Sequence, residues 1–210
     1  MPPKKKPAPE AGRKSAFVAR NRATIITAAL EVLAQNGVHA TMDQVAEASG
    51  MAMSTIYKHF KDKDELVATV LIEKFMDWEA WATEKCSDLT DPLEQLVFPM
   101  RMFVRIPQTH PSQAKVLVSH FGFVASIIPM LKAQLVNHVK DLMKAKIITL
   151  SEPTAAAENV HAVLTFTVIN QIINPKATVA DADLAIRTAL SMLGISDAKA
   201  KKLTEAKLPL

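Results

Sequence analysis

Tyr57, Lys58 and His59 are consecutive, three residues after Ser54 and Thr55 begin a short run of hydroxyl groups and a few residues before Lys63. Thr41 lies one helix earlier, and Met53 precedes the hydroxyls. These side chains are rich in hydrogen-bond donors and include two lysine cations. Such a set suits the surface of a nucleic acid. Threonine, tyrosine, histidine and lysine can hold phosphate oxygens, while short hydroxyls let a backbone approach base edges, which a lysine can also reach. Lys63 stands near a helix start, where free N–H groups already favour an anion.

The elements that would position these residues are readable from the same stretch, ATMDQVAEASGMAMSTIYKHFKDKDEL, residues 40–66. Thr41 and Gln44 have capping-box spacing, which predicts a helix from Met42. Gly50 breaks it, because glycine accepts the positive φ of a tight turn. A second short helix is expected over about 53–59, and Asp62 to Glu65 read as another box-like start. Val45, Ala46, Ile56 and Phe60 fall where two crossing helices pack, with Met42 and Met51 filling gaps. Tyr57 suits either core packing or a phosphate. Upstream, Ile25, Ile26, Ala29, Leu30 and Leu33 form one apolar helical stripe that Gly37 ends. The pattern is a helix-turn-helix, whose second helix enters the major groove.

The segment TIITAALEVLAQNGVHATMDQVAEASGMAMSTIYKHFKDKDELVATVL resembles the DNA-binding domain of the tetracycline-repressor (TetR) family. The matching residues are Gly37, Thr41, Ala46, Gly50, Thr55, Ile56, Tyr57, His59, Phe60 and Lys63, over about residues 20–70. The resemblance implies that Thr41, Tyr57, His59 and Lys63 hold phosphates and that Ser54, Thr55 and Lys58 lie nearest the bases. Val38 departs from the common aromatic, and Ala52, Met53 and Ser54 stand where Ser, Lys and Gly are frequent. Met53 therefore removes a usual cation, and the base preference of relatives does not carry over. The resemblance also implies a homodimeric repressor on an inverted-repeat double-stranded operator, released by a small, largely apolar effector.

The rest of the chain reads as all-α, with about nine helices in total and no alternating strand, although 161–173 is rich in β-formers. Prolines 111, 129, 153 and 175 are expected to break or bound helices. The expected organisation is a disordered basic tail at 1–15, the helix-turn-helix domain at 16–65, a helical ligand-binding and dimerisation domain at 66–196, and a C-terminal tail at 197–210. Mixed apolar and polar stretches nominate Phe103, His110, His120, Phe121, Phe123, Met130, His138, Phe166 and Asn170 as pocket residues. On 159–173, His161, Thr165, Thr167, Asn170 and Gln171 interrupt an apolar run and need partners. Those partners are a ligand, a sister subunit or local carbonyls. Trp78 and Trp81 lie on the long helix expected to join the two domains.

Composition narrows the rival classes. Seven cations and one acid fall in residues 1–22, a net +6, which leaves −2 for the remainder of a chain whose total is +4. The basic character is N-terminal, and no apolar segment follows Lys4–Lys6 as a secretory signal would require. One cysteine, Cys86, excludes an intrachain disulfide and fits a reducing cytoplasm. The run 116–131 is too short to span a membrane. There is no phosphate-cradling glycine loop, no G-x-S-x-G and no H-E-x-x-H, so neither an enzyme nor a cofactor is expected. The six histidines form no i, i+4 pair, and no metal site is expected. The alternatives that remain are a nonspecific nucleic-acid binder led by the basic tail and a helical ligand carrier.

Overall fold

A computed structural model describes residues 10–209, apart from the side chains of residues 10, 11, 13 and 123–131. The chain divides into two compact units, residues 1–70 and 71–210. Among the described residues there are eleven α-helices and no strand.

In the first unit, α1 (Glu10–Asn36) packs on α2 (Met42–Ser49), which meets α3 (Met53–His59). The apolar stripe of α1 is buried as its spacing requires, with Ile25, Ile26, Ala29 and Leu33 at most 2% exposed. Ile56 and Phe60 are equally inaccessible, and Arg22 places its guanidinium 5.4 Å above the Phe60 ring. The turn chemistry is local and complete. Thr41 Oγ1 accepts from the Gln44 N–H and Gln44 Oε1 accepts from the Thr41 N–H, at 3.2 and 2.9 Å. Gly50 sits at φ 67°, and its N–H caps α2 on the carbonyls of Ala46 and Glu47. At the start of α4 (Lys63–Lys85), Asp62 accepts from the Glu65 N–H, while Glu65 reaches back to the Lys61 N–H.

The basic tail expected at 1–15 falls largely outside the described residues, but residues 10–15 are helical. Pro9 is the last of the N-terminal prolines, and the Glu, Ala, Arg and Lys that follow are strong helix formers.

The second unit is built by the remainder of α4 with α5 (Pro92–Phe103), α6 (Ile106–Thr109), α7 (Pro111–Ser119), α8 (Phe121–Lys144), α9 (Pro153–Ile173), α10 (Val179–Met192) and α11 (Asp197–Glu205). Leu93, Val97, Val160, Val168, Ile186 and Leu190 form the centre of its core. Asp91 caps α5 on the Leu93 N–H, and Thr178 with Asp181 closes a second full capping box at α10.

The β-rich stretch 161–173 is helical as expected, within α9, where burial against α8 and α10 outweighs residue preference. Two expectations change here. Pro129 does not interrupt α8, which continues through it. Residues 197–205 are no tail. Ala200 and Leu203 are buried in the main core, so α11 is part of the fold.

A charged network that sequence reading missed fastens α11 and α10 to α5. Arg101 and Arg105, only 4% and 7% exposed, share Asp183, with contacts of 3.0 and 2.6 Å. Arg101 also donates to the carbonyls of Leu203 and Ala206 at the end of α11, and Arg105 to the carbonyl of Arg101. No helix among the described residues is long and apolar enough to cross a membrane.

Candidate nucleic-acid interface and ligand cavity

Burial of Ile56 and Phe60 fixes the rotation of α3 about its axis, and so decides what its other face presents. Ser54, Tyr57 and Lys58 are exposed, Tyr57 by 52%, while Met53, Thr55 and His59 are half-buried at the flanks. Tyr57 is thereby placed outside the core. Its hydroxyl shares a surface with the lysine that follows it.

Thr41 is exposed at the start of α2. Its oxygen is occupied as an acceptor by the cap, which leaves its O–H free to donate outward. The Lys63 ammonium donates to the Val38 carbonyl. An ammonium carries three donors, so two remain for an anion. Thr41, Ser54, Tyr57, Lys58 and Lys63 therefore offer hydroxyl and ammonium donors from α2, α3 and the start of α4. That assembly suits phosphates and base edges, and it contains no grouping of nucleophile and base.

The second unit holds a cavity of about 360 Å³ between α4, α5, α8 and α9. Phe75, Trp78, Met100, Phe103, Leu135 and Leu164 are among its apolar walls, and Glu79, Gln95, Gln134, His138 and His161 supply polar groups. Its size and largely apolar lining are those of a small-molecule site. Trp78 is held by aromatic neighbours, with Phe75 at 5.7 Å and Phe103 edge-on at 5.5 Å between ring centroids. Two buried atoms here lack a hydrogen-bond partner, Trp78 Nε1 and His161 Nε2. Burial, with Lys132 nearby, lowers the His161 pKa from its ordinary value. Burial also lowers that of His138, against the opposing pull of Asp141 and a backbone hydrogen bond at Pro92. Both imidazoles are therefore favoured as neutral groups.

Of the nominated pocket residues, Phe103 and His138 line this cavity. His110 instead packs edge-on against Trp81 at 5.0 Å, with Nδ1 2.9 Å from Thr109 Oγ1. His120 is buried, its Nδ1 facing Ser119 Oγ at 2.9 Å, and Phe121 is 40% exposed. The side chains of Phe123 and Met130 lie outside the described residues. Phe166, at 69% exposure, and Asn170 stand on the outer surface of α9 rather than in the cavity, because the helix turns Leu164 and Val168 inward.

Trp78 and His161 were not nominated, although both had been singled out. A signal existed for Trp78: Phe75 precedes it by three residues on the same helix, so the two rings share a face. The other polar residues of α9 find partners within the chain. Thr165 and Thr167 donate to the carbonyls of His161 and Val163, and Gln171 donates to the Thr178 carbonyl.

The last two long helices expose several large apolar side chains. Phe166 and Ile173 on α9, and Val179, Leu184 and Met192 on α10, are 38–69% exposed.

Three comparisons bear on this architecture. Residues 25–70 match the model for bacterial regulatory proteins of the tetR family. The HTH-type transcriptional regulator RutR of Escherichia coli is 25% identical over 136 residues, which cover 64% of this chain and 62% of RutR. The match thus spans less than two thirds of that relative. The fatty acid metabolism regulator protein of Bacillus subtilis is 41% identical over 51 residues, 24% of this chain and 26% of the relative. Among solved structures, RolR in complex with resorcinol superposes with a TM-score of 0.73 at 18% identity, covering 93% of this chain and 98% of RolR. The transcriptional regulator FadR from Bacillus subtilis, in complex with stearoyl-CoA, gives 0.69 at 19% identity, over 83% and 99%. At such identities the likeness concerns the fold.

Proposed function

We propose that this chain, which belongs to the tetR family of bacterial regulatory proteins, is a homodimeric, sequence-specific transcriptional repressor released from an inverted-repeat operator by a small molecule. The observation that carries this reading is the face of α3. Its core side is locked by Ile56 and Phe60, and its free side offers Ser54, Tyr57 and Lys58 to the groove. The flanking donors Thr41 and Lys63 suit the phosphates on either side of that groove. RutR and the Bacillus subtilis regulator supply the functional precedent through their names.

The apolar side chains exposed on α9 and α10 support a twofold assembly. Exposed phenylalanine, isoleucine and leucine on adjacent helices suit burial against an identical surface. Two copies would then present two α3 helices to successive major grooves, which calls for a palindromic site.

The cavity is the effector site in this reading, on the strength of its size and largely apolar lining. α4 carries Lys63 at one end and lines the cavity with Trp78 further along. An effector seated against Trp78 biases the dimer, through that helix, toward a state that fits the operator less well.

Lys58→Ala tests the groove-facing assignment. Binding to the selected operator is expected to weaken by about 1–3 kcal/mol, with little change on random DNA, if Lys58 reads a base. Parallel titrations of both DNAs at one salt concentration provide the check. Equal losses on the two would place Lys58 on a phosphate instead.

A further inference from the structure

The polar atoms of the cavity define what its occupant must be. Trp78 is 6% exposed, and its indole N–H is buried without an acceptor. An indole N–H can only donate. Leaving it unpaired costs free energy that a bound acceptor recovers. His161 Nε2 is the second buried atom without a partner, and a neutral imidazole nitrogen serves as donor or acceptor according to tautomer. The other polar residues are less in need of a ligand. Gln95, for example, already donates to the Leu89 carbonyl at 2.7 Å.

The charges are equally informative. Glu79 is the one residue among the described lining residues that carries a formal charge at neutral pH, with the two histidines neutral. Lys132, whose charge helps to lower the His161 pKa, is paired with Glu158 at 2.7 Å. No described lining residue is a lysine or arginine that could receive a carboxylate or phosphate. Aromatic rings at Phe75, Trp78 and Phe103 favour a flat apolar body. A volume of about 360 Å³ corresponds to roughly a dozen waters at about 30 Å³ each, which suits a compact molecule.

We infer that the effector is a compact, largely apolar molecule without negative charge that presents an oxygen acceptor to the Trp78 N–H and a second polar group to His161 Nε2. This rests on the cavity being the effector site. A hydroxylated or carbonyl-bearing ring compound meets the description. A fatty acid or its thioester to an anionic carrier does not, since its charge would meet Glu79 and no cation.

Calorimetric titration of the full-length dimer with a matched series tests this: 2-naphthol, naphthalene, 2-naphthoate and 2-naphthylmethylammonium. 2-Naphthol is expected to bind about tenfold more tightly than naphthalene, the worth of one hydrogen bond to an otherwise unpaired donor. Trp78→Phe should cut that preference, read as the ratio of the two affinities, to about twofold or less. His161→Leu should reduce the preference too, and it serves alone if the tryptophan variant does not fold. Equal affinities for naphthol and naphthalene, a preference that survives both substitutions, tighter binding of the carboxylate than of naphthol, or binding of none of them would each overturn the inference. The effector reading fails separately. Binding of naphthol with no change in operator affinity counts against the site as a regulatory one and leaves its chemistry standing.

Discussion

Asp183→Ala is expected to destabilise the second unit by about 3 kcal/mol, at the lower end of what removal of one partner from a buried ion pair costs. The carboxylate serves two guanidinium groups at once, at 3.0 and 2.6 Å, and both arginines are nearly inaccessible. Without it, two buried cations would face each other across a cavity. Carbonyl acceptors at Leu203, Ala206 and Arg101 soften the loss, because each guanidinium keeps at least one hydrogen bond. Both tryptophans, Trp78 and Trp81, lie in the second unit, so urea unfolding followed by their fluorescence isolates its transition. A midpoint lowered by about 1 M or more is the expected result for a unit of this size. Asp183→Asn should fall between, since it keeps acceptor geometry and loses charge. A loss below about 1 kcal/mol for alanine would mean that the arginines are solvated in the folded protein.

The second large effect concerns assembly. Phe166→Glu with Leu184→Glu is expected to weaken the dimer by about 2–4 kcal/mol, roughly 30- to 1,000-fold in its dissociation constant. Both side chains are more than half exposed in the single chain, so the fold has little to lose. At a twofold interface each substitution occurs twice, and carboxylates facing one another add repulsion to lost apolar contact. Sedimentation velocity should show a monomer at micromolar concentration, with operator affinity falling in step, because one half-site alone binds weakly. Retention of the dimer with both substitutions present would place the interface elsewhere than on these faces of α9 and α10.

The helix-turn-helix was legible in the sequence because its determinants are local. A capping box spans four residues, and the αL glycine at position 50 needs only its own φ. Alternation of buried and exposed positions on α3 follows from helical period alone. The second unit was legible as helices but not as a site. Its cavity draws on α4, α5, α8 and α9, so residues as far apart as Trp78 and His161 meet only in the fold. Phe166 and Asn170 were nominated for the pocket because α9 is apolar on nearly every side, and an all-round apolar helix does not declare which face is inward. The salt network had no local signature either, since Arg101 and Asp183 are 82 residues apart. Residues 197–205 read as a tail because their surface is lysine-rich, while only Ala200, Leu203 and Thr204 are buried. Pro129 misled for the opposite reason. A proline is a strong local signal, yet α8 tolerates the lost hydrogen bond within a long helix.

The central claim is that paired copies of α3 read a symmetric DNA sequence. The most direct test selects genomic fragments with the full-length protein at near-physiological salt, then footprints the tightest binder. Salt matters because phosphate contacts alone give affinity to any DNA at low ionic strength. A short inverted repeat protected on both halves is the expected result, with half-site centres about one helical turn apart or a multiple of it. Smeared protection with no preferred sequence would contradict it. The affinity would then belong to the basic N-terminal residues, and the exposed face of α3 would be left without a reading role.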